Sequence, residues 1–171
     1  MDIFKNLKNL FPLPMDVYKR SFVSGDQQDS IKVEYYFNRE NSHFYAKVLF
    51  GNGAEGPPNH AHGGAIASVF DEAMGAVAWL NSFPAMTVRL AVDFHKPVKL
   101  ESEVLVETWV DQLSGKKVWV KGKMTGIDKT VYAESEGVFV MQTKERFQEM
   151  GDLPDDFFEK VANDFNLKLS K

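Results

Sequence analysis

Apolar and polar residues alternate with a period of two through much of the chain, which is typical of half-buried strands. Two alternating segments, IKVEYYFN (31–38) and HFYAKVLF (43–50), are separated by the turn-forming residues NRENS and predict a β-hairpin. Four more segments follow residue 85: MTVRLAVDF, VLVETWVD, KKVWVKGKMTGI and TVYAESEGVFVMQ. The connection KPVKLES and the turns QLSGKK and GIDK join them. The pattern therefore predicts about six strands, mostly in antiparallel pairs.

A segment of another kind lies between the two groups of strands. From Ala65 to about Leu80 there is no proline and one glycine, and small or apolar residues occur on every side of the predicted helix. A helix that is apolar all round is normally buried. One buried helix and about six antiparallel strands predict an α+β fold in which a curled sheet wraps round the helix. One face of the helix is left to be covered, and dimerisation would cover it.

The two ends of the chain also have helical spacing. Apolar residues recur near the beginning at Ile3, Phe4, Leu7, Leu10 and Phe11. They predict a short amphipathic helix, which Pro12 and Pro14 end. The tail from Thr143 predicts one or two helices broken at Gly151 and Pro154. We therefore expect a single domain over residues 1–171, with its core at about 30–141 and extra helices at both ends.

Composition narrows the functional classes. The chain has no cysteine, which excludes disulfides, thiolate nucleophiles and cysteine zinc sites. The net charge of −4 gives no basic field for nucleic acid. The start, MDIFKNLKNLF, lacks the features of a signal peptide, and no window is long and apolar enough to span a bilayer. We therefore expect a cytoplasmic protein without nucleic-acid or membrane partners.

The candidate chemistry lies in NHAHGGAIASVFDEAMGAVAWL (59–80) and resembles a known signature. The run P-x-N-H-A-H-G-G-A-I-A-S-V-F-D-E-A-M-G resembles the HGG-(x)6-D motif of hotdog-fold acyl-CoA thioesterases, in the 4-hydroxybenzoyl-CoA and phenylacetate-type branch. MTVRLAVDFHKPV resembles the family's strand after the helix, with its aromatic-x-(K/R)-P turn. The resemblance implies a hotdog fold, hydrolysis of an acyl-CoA to free acid and CoA, and active sites at subunit interfaces of a homodimer or homotetramer. It implies no cofactor.

The resemblance also implies roles for particular residues. The amides of Gly63 and Gly64 would hold the thioester carbonyl oxygen, and Asp71 would act as general base or nucleophile. A helix N-terminus has unpaired N–H groups, and glycine lets a ligand approach closely, so the chemistry supports the first role. Gly63 and Asp71 are eight residues apart, which is roughly 12 Å along a helix axis. One carbonyl cannot touch both in a single chain, so if both act on one thioester they must come from different subunits.

Two further positions are compared with the family. Thr87 matches a hydroxyl position near the acid, where it would position water or donate a hydrogen bond. Many members have Asn or Gln about six residues before the HGG histidine, whereas this chain has Gly56. Asn59 and His60 are the candidates to replace that side chain in binding substrate.

The remaining polar residues near the motif have alternative roles. His60 and His62 have the spacing of metal ligands, but a cupin-type pair needs a glutamate shortly afterwards and this chain has apolar residues there, so we expect no metal. His62 is a catalytic candidate, although a structural hydrogen bond across the turn is the simpler role. Asp71 has the alternative of a cap or salt bridge. Glu72 points about 100° away round the helix, where we expect it to be paired or solvated, and it is also the candidate for a second acid that contacts substrate.

Lysines near turns are candidate contacts for the CoA phosphates. Lys96, Lys116 and Lys117 lie at such positions, with a solvated hairpin end as the alternative for each. Two other functions stay open. One is hydration or dehydration of an acyl thioester, with His60 and Glu72 as the recruited groups, and the other is a non-catalytic module that binds acyl-CoA.

Overall fold

The computed structural model describes residues 9–13, 21–23 and 29–151. The elements in chain order are β1 (Leu10–Pro12), β2 (Ile31–Asn38), β3 (His43–Phe50), a 3-10 turn (Asn52–Ala54), α1 (Gly63–Leu80), β4 (Ala85–Phe94), β5 (Glu103–Ser114), β6 (Lys117–Gly126), β7 (Val131–Met141) and α2 (Lys144–Met150). The predicted strands and central helix are therefore present, with α1 beginning at the first glycine of the HGG motif.

The strands of the described residues form one sheet, in the order β1-β2-β3-β5-β6-β7-β4. Every neighbouring pair is antiparallel. The predicted hairpin pairs Ile31 with Phe50 at one end and Asn38 with His43 at the other. The predicted antiparallel sheet on one central helix is confirmed, with one strand more than the expected number of about six.

The additional strand corrects the predicted N-terminal helix. Leu10 and Phe11 lie in β1 and pair with β2. Pro12 completes β1, and a proline is tolerated there because an edge strand need not use every N–H in the ladder. A helix that extends to Phe11 is therefore wrong at its end, and residues 1–8 lie outside the described residues.

The C-terminal prediction can be compared only for its first part. Helix α2 begins after Thr143, whose side chain accepts a hydrogen bond from the amide of Arg146, and its last residue precedes Gly151. The ring of Phe147 meets the ring of Trp79 edge-on at 4.9 Å between centroids, which places α2 at the C-terminal end of α1. The predicted helix beyond Pro154 lies outside the described residues.

The core lies between α1 and the concave face of the sheet. The buried residues of α1 are Ile66, Val69, Phe70, Ala73, Met74, Val77, Ala78 and Leu80. Thr108 of β5 is fully buried, and its hydroxyl donates to the carbonyl of Ala73 at 3.0 Å. A methyl group on Gly122 of β6 would lie 2.9 Å from the ring of Phe70, so the glycine lets the helix come close to the sheet. These contacts fix the position of α1 across the sheet.

One side of α1 and one edge of the sheet remain open in a single copy of the chain. Ser68, Asp71 and Gly75 are only half-buried. The neighbouring edge strand β4 exposes 42% of Met86 and 60% of Val88. Large apolar side chains on an unpaired edge are a surface that natural proteins normally cover. Among the described residues, no helix is both long and apolar enough to cross a membrane.

Candidate active site

The carboxylate of Asp71 and the hydroxyl of Thr87 meet on the open side of α1. Thr87 lies in β4, where the register with β7 shifts just after it. It stands opposite Phe139, a fully buried residue, so its side chain shares the helix-facing side of the sheet. Its Oγ1 donates to Asp71 Oδ1 at 2.7 Å. This bond fixes one carboxylate oxygen and leaves Oδ2 without a described protein partner.

The N-terminus of α1 is capped by the histidine of the HGG motif. His62 has extended backbone angles (φ −65°, ψ 137°), and its Nδ1 accepts the amide hydrogen of Gly64 at 2.9 Å. The amide of Gly64 is therefore not free for a ligand, which corrects the expectation of two glycine donors. The amide of Gly63 makes no hydrogen bond within the described part of the chain. It is the glycine donor that remains for an anionic oxygen.

Phe94 also belongs to this end of the helix, and its role was not predicted from the sequence. It is the last residue of β4 and is 53% exposed. A methyl group on Gly63 would lie 3.4 Å from Phe94 Cζ, so the edge of the ring lies beside this glycine. The aromatic-x-Lys-Pro turn was the available signal. An apolar ring here would strengthen a hydrogen bond to the Gly63 amide if a bound substrate excluded water from the same space.

The loop before α1 uses Asn59 and His60 to hold its own shape. Asn59 has φ 61°, and its amide donates to Glu55 Oε1 at 2.7 Å. His60 Nδ1 lies 2.9 Å from the carbonyl oxygen of Pro58. A backbone carbonyl only accepts, so this nitrogen of His60 carries the proton. The substrate contacts predicted for both residues stay predictions.

Glu72 is bound on another side of the helix from Asp71. The hydroxyls of Ser21 and Tyr35 both donate to its carboxylate. Glu72 is thus one of the paired acids of the fold. It lies nine residues after Gly63, roughly 14 Å along the helix axis, so the structure does not bring it to His60 as the hydratase alternative requires.

The predicted phosphate contacts lie at opposite ends of the sheet. Lys96 follows β4, and its amide donates to the carbonyl of Tyr132 beside the start of β7. Lys117 pairs with Val140 near the end of β7, next to Lys116. The length of β7 between these points is roughly 25 Å. One copy of the chain therefore cannot offer all three lysines to one phosphate group.

The described residues do not form a metal site. Among them, no group of three or more His, Cys, Asp and Glu side chains is placed to hold an ion.

Comparisons with known proteins all lead to one family. The family model of the thioesterase superfamily matches residues 58–132, which include the HGG motif, α1 and β4. The acyl-coenzyme A thioesterase THEM4 of Bos taurus is 31% identical over 122 residues, covering 70% of this chain and 50% of that protein. THEM4 of Mus musculus is 33% identical over 137 residues, covering 75% and 59%. The chain thus spans about half the length of the curated relatives it matches.

A solved structure shows the same fold. The protein smu.793 from Streptococcus mutans UA159, bound to acetyl CoA, has a TM-score of 0.61 and 18% identity, covering 72% of this chain and 95% of that one. The HGG motif, the order of the strands and the match to the family model all indicate the same fold and superfamily. The described core is a hotdog-fold domain of the thioesterase superfamily.

Proposed function

We propose that this chain is an acyl-CoA thioesterase, which hydrolyses an acyl-CoA to a free acid and CoA. The relatives named acyl-coenzyme A thioesterase and the acetyl CoA bound by the similar Streptococcus mutans protein support the substrate class. The single observation that carries the proposal is the hydrogen bond between Asp71 and Thr87, because it orients a carboxylate on the open side of α1. The amide of Gly63, at the N-terminus of the same helix, has no hydrogen-bond partner among the described residues.

The geometry gives each group a role in the reaction. Asp71 accepts a proton from water through Oδ2 while the water oxygen attacks the thioester carbon. The Gly63 amide donates to the carbonyl oxygen, whose negative charge grows in the tetrahedral intermediate. The C–S bond then breaks, and the CoA thiolate takes up the proton that Asp71 accepted from water, which restores the carboxylate. Thr87 is a positioning residue, because it holds Oδ1 and so fixes the direction of Oδ2.

The two groups act together only across a subunit interface. Gly63 and Asp71 lie roughly 12 Å apart along one helix axis, beyond the reach of a single carbonyl. The unpaired edge of β4, with the exposed side chains of Met86 and Val88, is the surface that a second copy would cover. A homodimer joined at β4 brings the open side of each α1 towards its partner. We therefore place each active site between two protomers, in a homodimer or in a tetramer of such dimers.

Two substitutions test the roles of the site. Asp71→Asn keeps the size of the side chain and its ability to bond Thr87, and should lower turnover by roughly a hundredfold or more. Gly63→Pro removes the donor at the first helical position, where proline fits a helix well. The matched control is Gly63→Ala, which keeps the N–H and places its methyl group 3.4 Å from Phe94.

The assay is release of free CoA thiol from acyl-CoAs between acetyl and palmitoyl, with phenylacetyl and hydroxybenzoyl esters included. We expect thiol release by the wild-type protein and by Gly63→Ala. We expect almost none by Asp71→Asn or Gly63→Pro. Tight binding of acyl-CoA without thiol release by the wild-type protein would instead favour the binding-module alternative. The cytoplasmic location expected from the sequence remains a prediction.

A further inference from the structure

The side chain of His62 lies between two glycines. A methyl group on Gly56 would lie 2.7 Å from His62 Cα and 3.1 Å from Cδ2, and one on Gly64 would lie 2.9 Å from Nδ1. The first contact is to the backbone, so the ring cannot relieve it by rotating. Position 56 therefore has no room for a polar side chain, and the loop at that point brings no donor to the helix terminus. His62 is the polar side chain that occupies this space.

The hydrogen bond to Gly64 fixes which nitrogen of His62 carries the proton. An amide N–H only donates, so Nδ1 must be the unprotonated acceptor and the neutral ring has its proton on Nε2. His60 has the opposite arrangement, because its Nδ1 donates to the carbonyl of Pro58. In its neutral form, His60 thus presents an acceptor at Nε2 and His62 presents a donor. Of these two rings, only that of His62 can donate a hydrogen bond from Nε2 to an oxygen that becomes negative.

The His62 donor is also available and held in place. The side chain is exposed, and within the described residues Nε2 has no hydrogen-bond partner. The ring cannot turn freely, since the Gly64 amide holds one side and the loop at Gly56 lies against the other. A fixed donor needs no reorganisation when charge develops on a nearby oxygen, which is the condition for strong stabilisation of an oxyanion.

We propose that His62 is the second oxyanion donor of the active site, acting through Nε2–H together with the amide of Gly63. This inference rests on the proposed thioesterase function. The Gly64 amide donates to His62 Nδ1 and is therefore not available to substrate. In its place, the ring of His62 offers its own Nε2–H. The ring keeps its proton throughout: the hydrogen bond strengthens as the carbonyl oxygen becomes negative and weakens when the C–S bond breaks. Asp71 remains the only group in this scheme that accepts a proton from water.

Three substitutions separate the ring donor from the helix cap. His62→Ser keeps a capping oxygen but is too short to replace the ring N–H, His62→Asn keeps both a capping oxygen and an amide donor, and His62→Ala keeps neither. If the ring donates, kcat falls by roughly a hundredfold in the Ser and Ala variants, with a smaller change in KM, and Asn recovers part of it. His43→Gln, on the outer face of the sheet, is the matched histidine control and should keep the wild-type kcat.

The outcomes are distinct from those that test the proposed function. A His62→Ser protein with wild-type kcat would show that the residue only caps the helix, while loss of activity in Asp71→Asn would still support a thioesterase. An inactive wild-type protein would reject the thioesterase itself. The imidazole nitrogen shifts of the wild-type protein give a measurement without substitutions. A His62 ring protonated at Nε2 is expected, and a neutral ring protonated at Nδ1 would overturn the inference.

Discussion

The hydroxyl of Thr87 donates to Asp71 Oδ1 at 2.7 Å and joins the edge strand β4 to the middle of α1. The two residues are sixteen positions apart, on elements that pack only because the sheet curls round the helix. The bond links the edge of the sheet that we propose as the dimer interface to the proposed catalytic acid. A change at that edge is thus expected to affect turnover directly.

Replacing Thr87 tests the positioning role. Thr87→Val keeps the shape of the side chain but removes the donor, so the carboxylate of Asp71 becomes free to rotate. A hydrogen bond to a charged group contributes about 1.5–3 kcal/mol, which corresponds to a loss of roughly 10- to 100-fold in kcat. Thr87→Ser retains the hydroxyl and should stay within a few-fold of the wild-type protein. Equal activity in the Val and Ser variants would contradict the role.

The open edge of β4 predicts a dependence of activity on assembly. Val88 is 60% exposed on that edge, and Val88→Glu places a charge where a second copy would pack. The variant should sediment as a monomer with unchanged circular dichroism and should have almost no thioesterase activity. Leu113→Glu, at an exposed apolar residue away from β4, is the matched control and should remain dimeric and active. An active Val88→Glu monomer would exclude a shared site.

The close contact between the loop and His62 predicts the effect of filling position 56. In Gly56→Ala, the new methyl group would lie 2.7 Å from His62 Cα, so the backbone must move. Overpacking of this kind costs about 1–3 kcal/mol of unfolding free energy, and it should also lower kcat by displacing the ring. Gly151→Ala has nothing within 4 Å of its methyl group and serves as the control. Denaturant unfolding of both variants measures the difference, and equal stabilities would show that the loop has more room.

Tyr45 predicts a fall in stability at alkaline pH. Its ring is buried, and burial raises the pKa of Tyr45 to about 12, with Glu107 acting in the same direction and the hydrogen bond from Asn41 opposing it. In the unfolded chain the phenol loses its proton near pH 10. Between these values the folded chain keeps a proton that the unfolded chain has lost. The unfolding free energy therefore decreases as pH rises from about 10 to about 12.

The variant Tyr45→Phe has no phenol to titrate. Its unfolding free energy should be lower at neutral pH, because the bonds to Asn41 and Glu107 are lost, but should fall less steeply between pH 10 and 12. Unfolding by urea at closely spaced pH values measures both slopes. The same alkaline slope in both proteins would contradict the effect of burial on Tyr45.

The sheet and the central helix were predictable because their patterns are long and local. Alternation over eight or more residues defines strands, and a segment of small residues without proline defines α1. The spacing of Leu10 and Phe11 was ambiguous, since two adjacent apolar residues fit either a helix or a short edge strand. Pairing with β2 decided the outcome.

The site was predictable only where the motif itself specified it. The resemblance named Gly63, Asp71 and Thr87, but the state of the Gly64 amide depends on the backbone angles of His62, which no sequence pattern fixes. The contact of Phe94 with Gly63 depends on how the edge strand ends against the helix terminus. Local periodicity describes which face a residue occupies and not which atoms meet across elements.

The central claim is that one protomer supplies Gly63 and its partner supplies Asp71. Mixing inactive Gly63→Pro and Asp71→Asn proteins under conditions that exchange subunits tests it most directly. Half of the dimers are then mixed, and each has one site with both groups intact, so thiol release should recover to about a quarter of the wild-type rate. If each protomer holds a complete site, every site in the mixture carries one defect, and the mixture will stay as inactive as its two components.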